Sequence, residues 1–353
     1  MKTVVITGIF GQVGSYAADL YLEKGYRVVG LYRRTSSPNY EHVLHNMNNP
    51  NFILFEGDIS DSSTIIECLN KYKPYAFLNF AAQSHVGTSF HQPVVTTQLN
   101  YLAVLEMLEA IRLHSPQTKF WSAATSERYG LCGDIKQDES CPPDPASPYS
   151  VAKLAMEQII KVYSKSYGLY ATYSIMFNME SPRRGKAFVT RKITDYIAGT
   201  TKKLIEMDII PYKVGFVNAI KGGSIEPLKL GNIDARRSWT HASDTVRGIY
   251  DQIELPKPEV FCFGLEETRS IREFLTYSFS LVGVDDWSDI VVHDENMMRP
   301  NDVWHLKPTC TKAKTLLNWT PKYTFENLVQ EMLEKDFERY GLDYSKVCQE
   351  VVV

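Results

Sequence analysis

Apolar positions in the first half of the chain fall into two alternating rhythms. Short apolar or β-branched runs occupy residues 3–7, 26–32, 52–56, 76–80, 119–123 and 171–177. Unbroken runs of this length suit strands buried on both faces, as in a parallel sheet covered by helices. Between them, residues 14–24, 65–72, 94–113 and 150–168 carry apolar residues at helical spacing. Gly25 follows the first helix where a C-cap is wanted. Three prolines in Cys141-Pro142-Pro143-Asp144-Pro145 make that stretch a loop. Strand and helix in alternation predict right-handed β-α-β units, hence an α/β chain with a Rossmann-type doubly wound parallel sheet.

Beyond Asn178 the alternation weakens. Pro, Gly and Arg punctuate residues 181–185, and the pattern becomes mixed. This predicts a dinucleotide-binding region over 1–178 and a smaller, mixed α/β substrate region over 179–353. The second is discontinuous, with roughly 228–265 returning to the first. No repeat, low-complexity tract or linker separates them, so the two regions are expected to pack tightly.

Bulk properties exclude several classes. The 353 residues suffice for one large or two modest domains. With 44% hydrophobic and 22% charged residues and a net charge of −3, the chain is expected to have no nucleic-acid partner, which usually needs a basic face. The six cysteines are scattered without a C-x-x-C pair, which argues against a zinc site or disulfide framework and predicts no metal. No run is long enough to span a bilayer. The opening Met1-Lys2-Thr3 passes directly into Val4-Val5-Ile6, too short for a signal peptide. A cytoplasmic protein with no membrane partner is the resulting expectation.

Thr7-Gly8-Ile9-Phe10-Gly11-Gln12-Val13-Gly14 sets glycines three apart, after the first strand and at the start of the first helix. Small residues let the backbone approach a pyrophosphate, and the helix start offers free N–H groups. A site for NAD normally ends the second strand with a carboxylate that holds the ribose hydroxyls. Here that strand ends Gly30-Leu31-Tyr32-Arg33-Arg34. Guanidinium groups there suit a 2′-phosphate, so NADP is the expected cofactor. Asp58, after the third strand, is placed to accept from the adenine amino group.

Tyr149 and Lys153 form a Y-x-x-x-K pair, four apart and on one helix face. An ammonium beside a phenol favours phenolate, so the pair is expected to lower the tyrosine pKa toward neutrality. Such a base deprotonates a sugar hydroxyl while hydride leaves for a nicotinamide. At the end of the fifth strand stand Thr125 and, two positions later, Glu127. Hydride transfer alone needs only the hydroxyl. The carboxylate adds a second proton-transfer group, which elimination of water requires.

These motifs resemble an extended short-chain dehydrogenase/reductase, and more closely the GDP-mannose 4,6-dehydratases. The resemblance spans nearly the whole chain. It includes the glycine loop through Ser15-Tyr16, Arg33-Arg34-Thr35-Ser36-Ser37, Ala82-Gln83-Ser84-His85-Val86, Thr125-Ser126-Glu127 and Ser147-Pro148-Tyr149. Glu180-Ser181-Pro182-Arg183-Arg184-Gly185, Phe188-Val189-Thr190-Arg191-Lys192, Leu230-Gly231-Asn232 and Asp302-Val303 continue it. It implies a redox-neutral hydro-lyase that turns a GDP-mannose-type sugar into its 4-keto-6-deoxy form. It also implies a homo-oligomer, dimer or tetramer, with the 33–37 loop at a subunit contact. Cofactor contacts are implied at Gly8, Phe10, Gly11, Gln12, Val13, Gly14, Arg33, Asp58, Ile59, Ala81, Ala82, Ser84, Tyr149, Lys153, Met179 and Arg184. Substrate contacts are implied at Ser84, Thr125, Ser126, Asn178, Val189, Lys192, Arg237 and Arg299.

The chain also departs from the family. Phe10 and Val13 replace a Thr and an Asp, Met179 replaces a His, and Arg128 stands where Leu is common. Residues 204–227 read as an insertion, expected to reshape base or sugar recognition or to make an oligomer contact, with part of it a mobile loop around Gly222-Gly223. Three alternatives follow: a dehydratase for another GDP-sugar such as a GDP-heptose, an NDP-sugar epimerase or 4-ketoreductase, and an NADP-binding scaffold without turnover. An epimerase needs no Glu127, and a scaffold needs none of the four reactive groups.

Overall fold

The structure is a computed structural model and describes residues 1–37, 39–132, 136–210 and 213–349. Strands β1 (Thr3–Thr7), β2 (Arg27–Tyr32), β3 (Phe52–Glu56), β4 (Ala76–Asn79), β5 (Lys119–Ala123) and β6 (Ala171–Met176) are those the sequence predicts, within a few residues at their ends. Between them run α1 (Gln12–Glu23), α2 (Ser62–Tyr72), the short α3 (Val86–His91) and α4 (Pro93–Thr97), then α5 (Ala103–His114) and α6 (Pro148–Tyr167). The short strand β7 (Asn178–Glu180) follows, then α7 (Val189–Glu206) and α8 (Lys213–Lys221). Next come β8 (Leu228–Leu230), β9 (Arg236–Arg237), β10 (Trp239–His241), α9 (Ala242–Glu254) and β11 (Phe261–Phe263). Seven strands make one parallel sheet in the order β11-β6-β5-β4-β1-β2-β3. The chain reverses direction across the sheet between β1 and β4. In open α/β sheets ligands bind outside the strands' carboxyl ends at such a switch point.

Buried polar groups tie those ends together. Thr7 Oγ1 donates to Asn79 Oδ1 at 2.6 Å, and Asn79 Nδ2 donates to Ser122 Oγ at 3.1 Å. Thr7 Oγ1 also accepts from the Ala81 backbone N–H at 3.1 Å. A chain of satisfied hydrogen bonds in a dry core fixes its members against one another. Helix α6 has strong ends: a Ser147–Ser150 capping box, Pro148 in the first turn, and Gly168 in the left-handed conformation at the C-cap.

Two hydrophobic cores are present. The first joins the sheet and its helices, and also takes in Val246–Ile253, Phe261–Phe263 and residues from Val303 to Trp319. The second gathers α7, α8, β8, Trp239 and the helices Ile271–Ser280 and Phe325–Arg339. Residues 204–227 belong to this second core through Leu204, Phe216, Val217, Ala219 and Ile225. Helix α8 packs Phe216 against Phe279, while Gly222 and Gly223 lie in an exposed turn after it.

The single helix expected over 94–113 is interrupted. Residues Gln98–Leu102 form a π-type turn between α4 and α5. The widened turn points buried Asn100 back at the β4 end. Its Oδ1 accepts from the Gln83 N–H and its Nδ2 donates to the Gln83 carbonyl, both at 2.9 Å. π-Turns recur where a side chain must be re-aimed, and alternating apolar spacing gives no sign of one. Asn100→Ala leaves both half-buried backbone groups of Gln83 without the Asn100 amide. It should cost about 1–3 kcal/mol in denaturant unfolding and weaken dinucleotide binding measured by fluorescence titration.

Candidate active site

The glycine turn leaves no room for side chains. Gly8 has φ 66°, and a Cβ on it would lie 3.0 Å from the Ala81 nitrogen. A Cβ on Gly14 would lie 2.3 Å from the Gly8 carbonyl oxygen. Gly11 caps α1 without a side-chain acceptor, and the first turn carries no acidic residue. The orphan N–H groups there suit an anion. Phe10 packs its ring on Tyr32 and Tyr40, at 5.2 and 4.9 Å between centroids. Gln12 donates to the Met179 carbonyl at 2.9 Å and accepts from Ser181 Oγ at 2.7 Å. The Gln12 contact uses the backbone of Met179, so methionine at that position does not disturb it. Asp58 Oδ1 accepts from the N–H and hydroxyl of Ser60. Arg33 is exposed at the cleft edge, whereas Arg34 lies outside the cleft lining.

At the end of β5, Thr125 Oγ1 caps the turn Ser126–Tyr129 by accepting from the Glu127 N–H at 3.2 Å. The Tyr149 phenol lies beside Thr125. Lys153 is buried and donates to the Ala123 carbonyl at 2.8 Å. The expected lowering of the tyrosine pKa is not found. Burial pushes the Tyr149 phenol up to about 12, with Glu127 adding to the rise and Thr125 and Arg184 opposing it. Lys153 turns its charge to the Ala123 carbonyl, and its own pKa is lowered by burial to about 8, against the pull of Glu157. Desolvation is the largest influence on the phenol.

Across the cleft stand cations. Arg299 Nη1 is 3.6 Å from Glu127 Oε1 and 3.7 Å from Asp302 Oδ1, and Arg237 is 3.8 Å from Asp302. Asn232 donates to Asp302 at 2.9 Å. Arg184 lies over the Phe188 ring and pairs with Glu180 at 3.1 Å. Lys192 donates to the Lys229 carbonyl at 2.9 Å.

Every site residue expected from the sequence lines one cleft of about 1110 Å³. At the glycine-turn end lie Gly8, Phe10, Gly11, Gln12, Val13, Gly14, Arg33, Asp58, Ile59, Ala81, Ala82, Ser84, Met179 and Arg184. Toward Tyr149 and beyond it lie Thr125, Ser126, Glu127, Tyr149, Lys153, Asn178, Val189, Lys192, Arg237 and Arg299. That exceeds an ordinary small-ligand pocket and suits two ligands end to end. Among the described residues, none of 204–210 or 213–227 lines it. Sequence reading missed Asp302, Asn232, His85 and Phe188 as lining groups. All four sit in or beside motifs noted above, but their pairing depends on tertiary contacts. Among the described residues no cluster of metal-ligating groups occurs, and no helix is long and apolar enough to cross a membrane. Cys68, Cys132, Cys141, Cys262 and Cys310 are free thiols, and the Cys348 side chain lies outside the described residues.

The glycine cradle, the switch-point sheet and the Tyr149–Lys153 helix define a nicotinamide-dinucleotide-dependent enzyme of the extended short-chain dehydrogenase/reductase class. Solved structures agree on the fold. A dTDP-glucose 4,6-dehydratase from Bacillus anthracis in complex with NAD superposes with TM-score 0.78 at 21% identity, over 98% of this chain and 100% of that one. A UDP-glucose 4-epimerase from Thermotoga maritima with UDP-glucose gives 0.78 at 24% identity, over 96% and 99%. Sequence relatives are nearer. "GDP-mannose 4,6 dehydratase 1" of Arabidopsis thaliana is 39% identical over 347 residues, 96% of this chain and 90% of that protein. The GDP-mannose 4,6 dehydratase of Homo sapiens is 37% identical over 361 residues, 96% and 92%. A sequence model of the GDP-mannose 4,6 dehydratase family matches residues 5–210 and 207–332. The chain belongs to the GDP-mannose 4,6-dehydratase family. The two matched stretches meet inside 204–227.

The Lys153 shift has a stability consequence. Its folded pKa, about 8, lies below the ordinary 10.5. Below pH 8 both folded and unfolded states hold the proton, and the full burial penalty applies. Between 8 and 10.5 the folded state sheds it first, so stability rises with pH, by at most about 1.4 kcal/mol per pH unit. Denaturant midpoints measured from pH 7 to 10 should therefore climb for the wild type relative to Lys153→Met. Parallel curves would show that Lys153 does not titrate in this range.

Proposed function

We propose that this chain is an NADP-dependent GDP-sugar 4,6-dehydratase whose substrate is GDP-mannose. What carries the reading is the meeting of a phenol, Tyr149, and a carboxylate, Glu127, beside Thr125 in one cleft. A dehydrogenase requires the first; elimination requires both. When bound, the nicotinamide supplies the acceptor for hydride from C4 and the donor that returns it to C6. Its pyrophosphate would be held by the glycine turn and the N-terminus of α1, its adenine by Asp58, and its 2′-phosphate by Arg33.

Tyr149 takes the proton from the sugar O4. The 4-keto group so formed acidifies the C5 hydrogen. Glu127 removes that proton and delivers one to the departing C6 hydroxyl, so water leaves across C5 and C6. Thr125 orients the 4-oxygen. Lys153 holds Tyr149 on the reacting side and tethers its helix to β5 through Ala123. Arg237, Arg299 and Lys192 would meet the diphosphate, where permanent charge and multiple donors suit phosphate oxygens. Asn178, Val189, Ser84 and Ser126 would frame the sugar and nucleotide. A homo-oligomer is also proposed. Leu102 and Leu113 on the α5 side and Val151 and Val162 on α6 stand exposed, and an apolar face of this kind suits a second copy.

Incubation with GDP-mannose and no added cofactor should give a product lighter by one water, seen by mass spectrometry. Turnover of a UDP- or dTDP-sugar instead would overturn the nucleotide assignment. Glu127→Gln should lower dehydration by about 10²- to 10⁴-fold while still binding NADP, and full activity in that variant would remove the elimination mechanism. Arg33→Ala should weaken NADP by about ten- to a hundredfold, with NAD little changed, since one charge-assisted contact is lost. Equal loss for both cofactors would assign Arg33 another role.

A further inference from the structure

Behind the reacting groups lies a second pair of charges that the chemistry above does not use. Arg128, the residue after Glu127, sends Nη1 to within 2.5 Å of Glu157 Oε2. Both side chains are out of water, at 5% and 0% exposure. Glu157 sits one turn beyond Lys153 on α6 and is the carboxylate whose charge acts on the Lys153 ammonium. The pair therefore links the turn that bears Thr125 and Glu127 to the helix that bears Tyr149 and Lys153.

Two observations argue against a purely structural device. The bridge is incompletely satisfied, since Arg128 Nε and Glu157 Oε1 are buried without a hydrogen-bond partner. A buried pair of this kind commonly stabilises no better than apolar residues of the same bulk. Its position also matters, because it joins two chain segments that must be in register for Tyr149 and Glu127 to share one substrate.

We propose that Arg128 and Glu157 are positioning residues: the pair locks the Glu127 turn against α6 and sets the Glu157 carboxylate, one helical turn beyond Lys153, as the counter-charge to that buried ammonium. The inference rests on the functional reading above only where activity is the readout. The groups facing Glu157 are Arg128 from the turn, Lys161 and Lys153 from its own helix, and Tyr173 from β6. Burial raises the Glu157 carboxyl to about 7, and Arg128, Lys161 and Lys153 oppose this in that order. Loss of Arg128 removes the first of the charges that favour the Glu157 carboxylate, so substitution of either partner acts on Lys153 in the same direction.

The test compares Glu157→Gln, Arg128→Met and the double variant, each with its NADP. Lys153 is followed by NMR of ¹³C-labelled lysine, its signal assigned by its loss in Lys153→Met. The alkaline limb of kcat/KM for GDP-mannose is measured alongside. Each single variant should unfold at lower denaturant, and the double variant should recover most of that loss. In all three, the Lys153 midpoint and the alkaline limb should fall by about one pH unit. A double variant with recovered stability and a wild-type Lys153 midpoint would overturn the proposal and leave the pair a structural bridge. If the double variant does not fold, Glu157→Gln at low temperature is judged by the same midpoint. A shifted midpoint without turnover of any sugar would sink the functional reading and leave this inference standing.

Discussion

Lys153 carries an ammonium into a place that water does not reach and gives it to the Ala123 carbonyl at the end of β5. A buried charge with one strong partner cannot move far, because leaving that partner costs its whole desolvation penalty. This fixes α6 against the fifth strand. Tyr149, one turn earlier on the same helix, is thereby set beside Thr125. The Thr7–Asn79–Ser122 chain holds the neighbouring strand ends level. Cofactor side and reaction side then meet at the switch point between β1 and β4.

The cleft divides by solvation. On the sheet side, Tyr149, Thr125, Glu127 and Lys153 are all buried, and a phenol there strongly prefers to keep its proton. To take a proton from the sugar O4, Tyr149 must first lose its own, and the positive charge of a bound oxidised nicotinamide would favour that loss. On the opposite side, Arg299 is about a third exposed and bridges Glu127 and Asp302. That side offers the permanent charge a diphosphate requires. The described residues of 204–227 stand apart from both, adding Phe216 and its neighbours to the second core.

Much of this could be read in the sequence. The six predicted strands are present because short unbroken apolar runs, alternating with helical spacing, suit a parallel sheet buried on both faces. The Gly8-x-x-Gly11-x-x-Gly14 turn was legible because backbone approach tolerates no other residue there. Less legible was whatever depends on a partner distant in the chain. Arg128 reads as a plain departure until Glu157 is seen beneath it. Asn100 looks like one more helix residue until its amide meets Gln83. The tyrosine pKa was misjudged because spacing reports that two groups share a face, not how dry that face is. The position of 204–227 in the chain admits either a recognition role or an oligomer contact, and it does not reveal that Leu204, Phe216, Val217, Ala219 and Ile225 join a core.

The central claim is that one hydride leaves C4 and returns to C6 of the same sugar while Glu127 exchanges the C5 proton. GDP-mannose labelled with deuterium at C4, turned over in ordinary water, tests it directly. The account predicts deuterium at C6 of the 4-keto product, with hydrogen from solvent at C5. Loss of the label to solvent, or its recovery at C4 of a sugar that has kept its water, would contradict it.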